Sequence, residues 1–111
     1  MAGKFELKKS ESGKFHFNLK AGNNEVILSS AMYETKIEAE AVLETVRQRG
    51  GNPGNFERKT SEGNEPYFVL FNETGNSLGR SEMYSSAKSM ENGIDSVGRN
   101  AATADLKDLT A

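Results

Sequence analysis

Carboxylates and serines are abundant in this 111-residue chain, but their spacing directs none of them at catalysis. His16 is the single histidine. Alternation with Phe15 and Phe17 places it on the outward side of a strand, without the adjacent orienting partner that acid–base work requires. Cysteine is absent, which removes disulfides, thiolate metal sites and thiol chemistry together. With no second histidine and no acidic cluster at a coordinating spacing, no metal site is expected. Glu91 and Asp95 share a helix face at i and i+4 and read as solvated. Asp105 and Asp108, alternating with Leu106 and Leu109, read as solvating the tail. The run Gly50-Gly51-Asn52-Pro53-Gly54 follows a helix instead of opening one, and no Gly-Lys-Ser/Thr closes it, so it is not a phosphate cradle. Gly75-Asn76-Ser77-Leu78-Gly79 has the letters of Gly-x-Ser-x-Gly, but it runs from a turn into a short strand, not from a strand into a helix, so it does not form a nucleophile elbow. Ser30 and Ser81 read as structural hydroxyls near a helix start, and the pairs Met32-Tyr33 and Met83-Tyr84 as core staples. The residues predict no enzyme, no cofactor and no metal.

The elements that carry these residues occur twice. Displaced by 51 positions, residues 5–49 match residues 56–100 at twelve places without a gap. Phe5 falls on Phe56, Phe17 on Phe68, Leu19 on Leu70, Ser30 on Ser81, Tyr33 on Tyr84 and Val46 on Val97. These are core and turn residues, so the repeat specifies architecture. Phe5 and Leu7 alternate with Glu6 and Lys8, and Phe15, Phe17 and Leu19 with His16, Asn18 and Lys20, the period of half-buried strands. Turn residues separate them from each other and from Val26-Ile27-Leu28, making a three-strand meander. A helix follows, capped by Thr35 with Glu38 and striped by Ala39, Val42, Leu43 and Val46. The second copy has strands from Phe56, from Tyr67 to Phe71 and over Ser77–Arg80. Its helix is capped by Ser86 and striped by Met90, Ile94 and Val97. Gly93 stands where the first helix has Val42; a helical glycine costs about 1 kcal/mol, so close contact at that point is the simplest reason for it. The tail, Ala104 to Leu109, has room for one strand. The expected order is βββα-βββα-β: an α+β protein with one antiparallel sheet and both helices on one face. Residues 1–111 form a single domain, with repeats over 4–54 and 55–111, since either repeat alone is too small for a self-sufficient core.

The segments Phe17-Asn18-Leu19-Lys20-Ala21-Gly22-Asn23 and Val26 through Tyr33 resemble the repeat of the YegP-like proteins. So do Ser81 through Ser86, Glu91 through Val97, and Asn100-Ala101. That family comprises small bacterial and archaeal proteins of uncharacterised function. The resemblance implies two β3-αβ units around one antiparallel sheet, each passing its last strand to the other. Single-repeat members would dimerise, and this chain resembles the internal dimer. No catalytic residues come with the resemblance.

Formal net charge is −2. No apolar run approaches the ~20 residues of a membrane helix, and the N-terminus leads straight into a strand pattern with no secretory apolar region. A cytoplasmic location is expected. One asymmetry suggests a working surface. The outward residues of the second strand are His16, Asn18 and Lys20 in repeat one, but Tyr67, Val69 and Phe71 in repeat two. An uncovered aromatic patch marks an interaction surface, so a protein partner bound through Tyr67, Val69 and Phe71, with His16 and Lys20 on the same sheet, is the first expectation. Homodimerisation through the same patch is an alternative use of it. Nucleic-acid contact through Lys8, Lys14, Lys20 and His16, with Tyr67 and Phe71 stacking, is the second reading. The weak basic footprint of the whole chain counts against it.

Overall fold

A computed structural model describes residues 3–110. Seven strands form one sheet: β1 (Lys4–Lys9), β2 (Phe15–Lys20), β3 (Val26–Ser29), β4 (Phe56–Thr60), β5 (Pro66–Phe71), β6 (Ser77–Arg80) and β7 (Asp105–Asp108). Helices α1 (Lys36–Arg49) and α2 (Ala87–Asn100) follow β3 and β6, and a short 3₁₀ turn over Pro53–Asn55 leads into β4. The spatial order is β4-β5-β6-β3-β2-β1-β7. The two meanders therefore meet at β3 and β6, and the tail strand crosses to the far edge beside β1. That last pair is parallel, with Lys4 opposite Asp105 and Leu7 opposite Asp108; every other pair is antiparallel. The expected element order and the α+β class are as the sequence implied.

At the seam a single pair, Ser29 opposite Arg80, joins the halves. These positions are 51 residues apart, so each is the other's repeat equivalent, and a pseudo-two-fold axis passes between them. Leu28 and Gly79 are likewise equivalent. A Cβ on Gly79 would lie 2.9 Å from the Ser29 carbonyl and 3.0 Å from Leu28 Cγ. One large side chain fits at the axis, not two.

The backbone devices also recur. Ser30 Oγ accepts from Phe17 N–H (2.8 Å) and donates to the Ala31 carbonyl (2.8 Å). Ser81 Oγ accepts from Phe68 N–H (3.0 Å) and donates to the Glu82 carbonyl (2.8 Å). Each hydroxyl supplies an acceptor to the second strand of its meander as the third strand departs. Thr35 and Ser86 cap the two helices, accepting from Glu38 N–H and Ser89 N–H at 3.1 Å. Two hairpin turns need a left-handed residue, and the copies use glycine or asparagine interchangeably: Gly13 (φ 84°) against Asn64 (φ 62°), and Asn24 (φ 71°) against Gly75 (φ 86°).

One core fills the space between sheet and helices. Phe5, Leu7, Phe17, Leu19 and Leu28 from the first meander and Phe56, Phe68, Leu70 and Leu78 from the second meet Ala39, Leu43 and Val46 of α1 and Met90, Ile94 and Val97 of α2. Each helix spans the seam: α1 rests on β2 and β6, α2 on β5 and β3. The expected helix stripes are the buried faces, with Val42 at the margin. Met32 and Met83 depart from expectation. They are 54% and 40% exposed, and only their tyrosine neighbours Tyr33 and Tyr84 pack on the core. The methionines fall in the extended link between strand and helix, one residue out of phase with the core, so their side chains face solvent.

A candidate binding face on the open side of the sheet

Strand alternation sends every second side chain away from the helices. Cross-strand registers put Lys4, Glu6 and Lys8 of β1 beside Lys20, Asn18 and His16 of β2, with Asp105 and Lys107 of β7 on the other flank. Beyond the seam, Arg80 of β6 lies opposite Val69 of β5, while Glu57 and Lys59 of β4 lie opposite Val69 and Tyr67. His16 and Lys20 thus share the face with Tyr67, Val69 and Phe71. Three strand spacings, about 14 Å, separate β2 from β5.

The residues of the patch are not equally available. Val69 is 8% exposed, closed over by its neighbours on β4 and β6, whereas Tyr67 and Phe71 are half-buried and keep an accessible edge. They stand four residues apart on one strand, about 13 Å. His16 is also half-buried. Partial burial, followed by the charge of Lys8, moves its pKa below the ordinary imidazole value. Lys14 lies outside the strand and pairs with Glu34 at 3.4 Å, so it leaves the expected basic set.

Glu6 was not expected to matter. It is 8% exposed, in the middle of the basic half, with the ammonium groups of Lys20, Lys8 and Lys4 at 3.0, 3.6 and 3.7 Å. Its pKa is lowered, first by the hydrogen bond from Lys20 and then by all three positive charges, against an opposing contribution from burial. One carboxylate gathers three lysines and leaves them in excess. Across the whole face six cations (Lys4, Lys8, Lys20, Lys59, Arg80 and Lys107) stand against three carboxylates (Glu6, Glu57 and Asp105), a balance of +3. The remaining eight cations and thirteen carboxylates give −5. The molecule is electrically two-faced. That division was hidden in the sequence because the cations come from five strands spread over residues 4–107 and meet only through the topology.

Other titratable residues serve the architecture. Arg58 forms a two-pronged pair with Glu91, Nε to Oε2 at 2.8 Å and Nη2 to Oε1 at 3.1 Å, so Glu91 is not merely solvated. Lys36 at the start of α1 holds Asp108, whose carboxyl also caps Thr110; both contacts keep its pKa well below the usual carboxylate range. A depression of about 610 Å³ opens between the β2–β3 turn and α2 and is lined by Asn23, Ser96, Arg99, Asn100 and Thr103, without convergent titratable groups. Among the described residues, no three His, Cys, Asp or Glu side chains are placed to hold a metal, and no helix is long and apolar enough to cross a membrane.

Residues 10–57 and 61–108 each match the family described as a domain of unknown function, DUF1508. This chain belongs to that family. The matched segments run from the second strand of each meander to the strand after its helix. In that frame β4 closes the first unit while pairing with β5 of the second, and β7 returns from the second unit to the first meander. A protein from Yersinia pestis named UPF0339 protein YegP is 44% identical over 97% of this chain and 96% of its own length. The Escherichia coli protein of the same name is 42% identical over 99% of this chain and all of its own. A solution structure of E. coli YegP, described as a protein of unknown function, superposes with a TM-score of 0.94 at 41% identity, over 100% of this chain and 96% of that one. A UPF0339 protein from Shewanella oneidensis gives 0.92 at 40% identity, over 99% and 93%. The relatives share the fold, and their names assign no activity.

Proposed function

We propose that this DUF1508 protein is a non-enzymatic, cytoplasmic binding module whose working surface is the open face of its sheet. The observation carrying this reading is that both helices cover the same side of the sheet. The other side is left with Tyr67 and Phe71 half-exposed and an ordered cluster of lysines around Glu6. An aromatic-and-basic face built on rigid strands suits recognition better than bond chemistry, since Glu6 and Glu57 on it are engaged by lysine ammonium groups in ion pairs. Its fused repeats supply the body of a dimer within one chain, so the working form is a monomer. Photo-crosslinking in the native cell tests this. A crosslinking amino acid at Asn18 or Lys59 on the sheet face should trap a partner, while one at Glu44 on the outer side of α1 should not. Crosslinks only from Glu44 would overturn the reading. Homodimers trapped from Lys59 would move the patch to self-association.

A further inference from the structure

We infer that the occupant of the sheet face is single-stranded nucleic acid, its phosphates running over the Glu6-centred lysines and its bases resting on Tyr67 and Phe71. This deepens the reading above and depends on it. The net charge of −2 argues against such a ligand only if the whole molecule is averaged. Salt screens charges beyond about 8–10 Å, and the smallest dimension of the molecule is 26 Å. A strand lying on the sheet therefore meets the face at +3, with the helix carboxylates Glu38, Glu40, Glu44 and Asp95 on the opposite side of the sheet.

Three features match this class of ligand. Lys4, Lys8 and Lys20 are held within 3.7 Å of one carboxylate, so their ammonium groups converge before any ligand arrives. Lys107, in register with Glu6, extends the row to the sheet edge. On the far side of the seam the aromatic edges stand among cations, Lys59 opposite Tyr67 and Arg80 opposite the intervening Val69. Flat aromatic platforms accept any base, and a groove of cations tracks the backbone. From β5 to β1 the face measures four strand spacings, roughly 19 Å, within reach of the 4–16 nucleotides that single-stranded binders of comparable size cover. Duplex DNA fits poorly, because its bases are stacked away from such platforms. An acidic peptide would use the lysines but leave the aromatic half idle.

Fluorescence anisotropy with labelled oligo(dT) and oligo(rU) of about 12 nucleotides tests the assignment, with the duplex and oligoglutamate as further arms. Both single strands should bind, and affinity should fall steeply between about 50 and 200 mM salt. Replacing Lys8 and Lys107 by Gln should flatten the log–log salt dependence by about 0.7 per lysine. Tyr67→Leu and Phe71→Leu should each weaken binding about fivefold or more at unchanged salt slope. Glu57→Gln removes an exposed carboxylate from the face and should tighten binding, a gain that misfolding cannot imitate. No binding at low salt overturns the assignment. So do equal affinity for duplex, oligoglutamate held as tightly as the oligonucleotides, or indifference to both aromatic substitutions. Those failures leave a sheet-face protein crosslink standing, whereas crosslinks confined to the helix side remove the face itself.

Discussion

Two glycines on α2 should respond to the same substitution with opposite signs. Alanine is favoured over glycine inside a helix by about 1 kcal/mol, so each replacement starts with that gain. At Gly98 nothing opposes it: the new Cβ would meet only the Gly50 carbonyl at 3.6 Å and Gly51 Cα at 3.9 Å, ordinary contact. At Gly93 the Cβ would drive into the Tyr84 ring, 2.7 Å from Cζ and closer to the hydroxyl, with Phe68 Cε2 at 3.1 Å. Tyr84 cannot swing aside freely, because its ring stacks on Phe68 at 6.2 Å and 15° and rests on the core. Overpacking of this kind costs about 1–3 kcal/mol, which exceeds the propensity gain. Gly93→Ala should therefore destabilise by about 1 kcal/mol net and lower Tm by roughly 4–8 °C, and Gly98→Ala should raise it by a similar amount. Urea unfolding with unchanged m-values would read both. Combining Gly93→Ala with Tyr84→Leu should recover at least about 0.5 kcal/mol relative to additivity. A Gly93→Ala protein as stable as the parent would refute the steric account.

Ser81→Ala should cost about 1–3 kcal/mol because it strands the buried Phe68 N–H, whereas Ser30→Ala, whose bond to Phe17 is only partly buried, should cost less because water can replace it; urea midpoints of the pair test the order. Glu6→Gln should lower stability at neutral pH by on the order of 1–3 kcal/mol, the worth of hydrogen bonds to a charged group. The Glu6 pKa is depressed in the fold, so its contribution is full above 4.5 and vanishes as pH falls through the folded-state value. Parent and variant should differ at pH 7 and converge in acid, and a difference that persists unchanged would refute the ion-pair account. Separated at the Asn52–Pro53 connection, each half should be unfolded alone by circular dichroism and regain structure on mixing, since α1 and α2 each rest on a strand of the opposite half. A half that is folded and monomeric by itself would overturn the shared core.

Periodicity made the strands and helices legible because burial is one-sided in both: Phe5 and Leu7 or Ala39 and Leu43 declare the face they bury. The caps were readable because Thr35 and Ser86 act within three residues of themselves. The direction of β7 was not, because Leu106 alternates with charged neighbours in the same way whether its strand runs parallel or antiparallel to β1. Nor was the Arg58–Glu91 pair, which joins positions 33 residues apart across the edge of the sheet. The candidate face was half visible. The aromatic contrast between Tyr67-Val69-Phe71 and His16-Asn18-Lys20 follows from alternation alone, but Glu6 gains its meaning only when β2 delivers Lys20 to its side.

The two copies differ most where symmetry would fail physically. Leu7 is fully buried beside β7, but its equivalent on β4 is Arg58, because no eighth strand covers that edge and a leucine there would face water. Arg58 instead folds over the edge to Glu91, the charged protection an open strand needs against further pairing. Leu28 fills the axis, so its equivalent is Gly79; Val42 edges the core, and its equivalent Gly93 yields to Tyr84. These adjustments leave the outward positions of β2 and β5 unconstrained, because they point away from the helices. There the copies have separated into a basic half and an aromatic half, a division that a symmetric dimer of identical repeats could not hold. Fusion of the repeats thus allows one sheet to present two chemistries side by side.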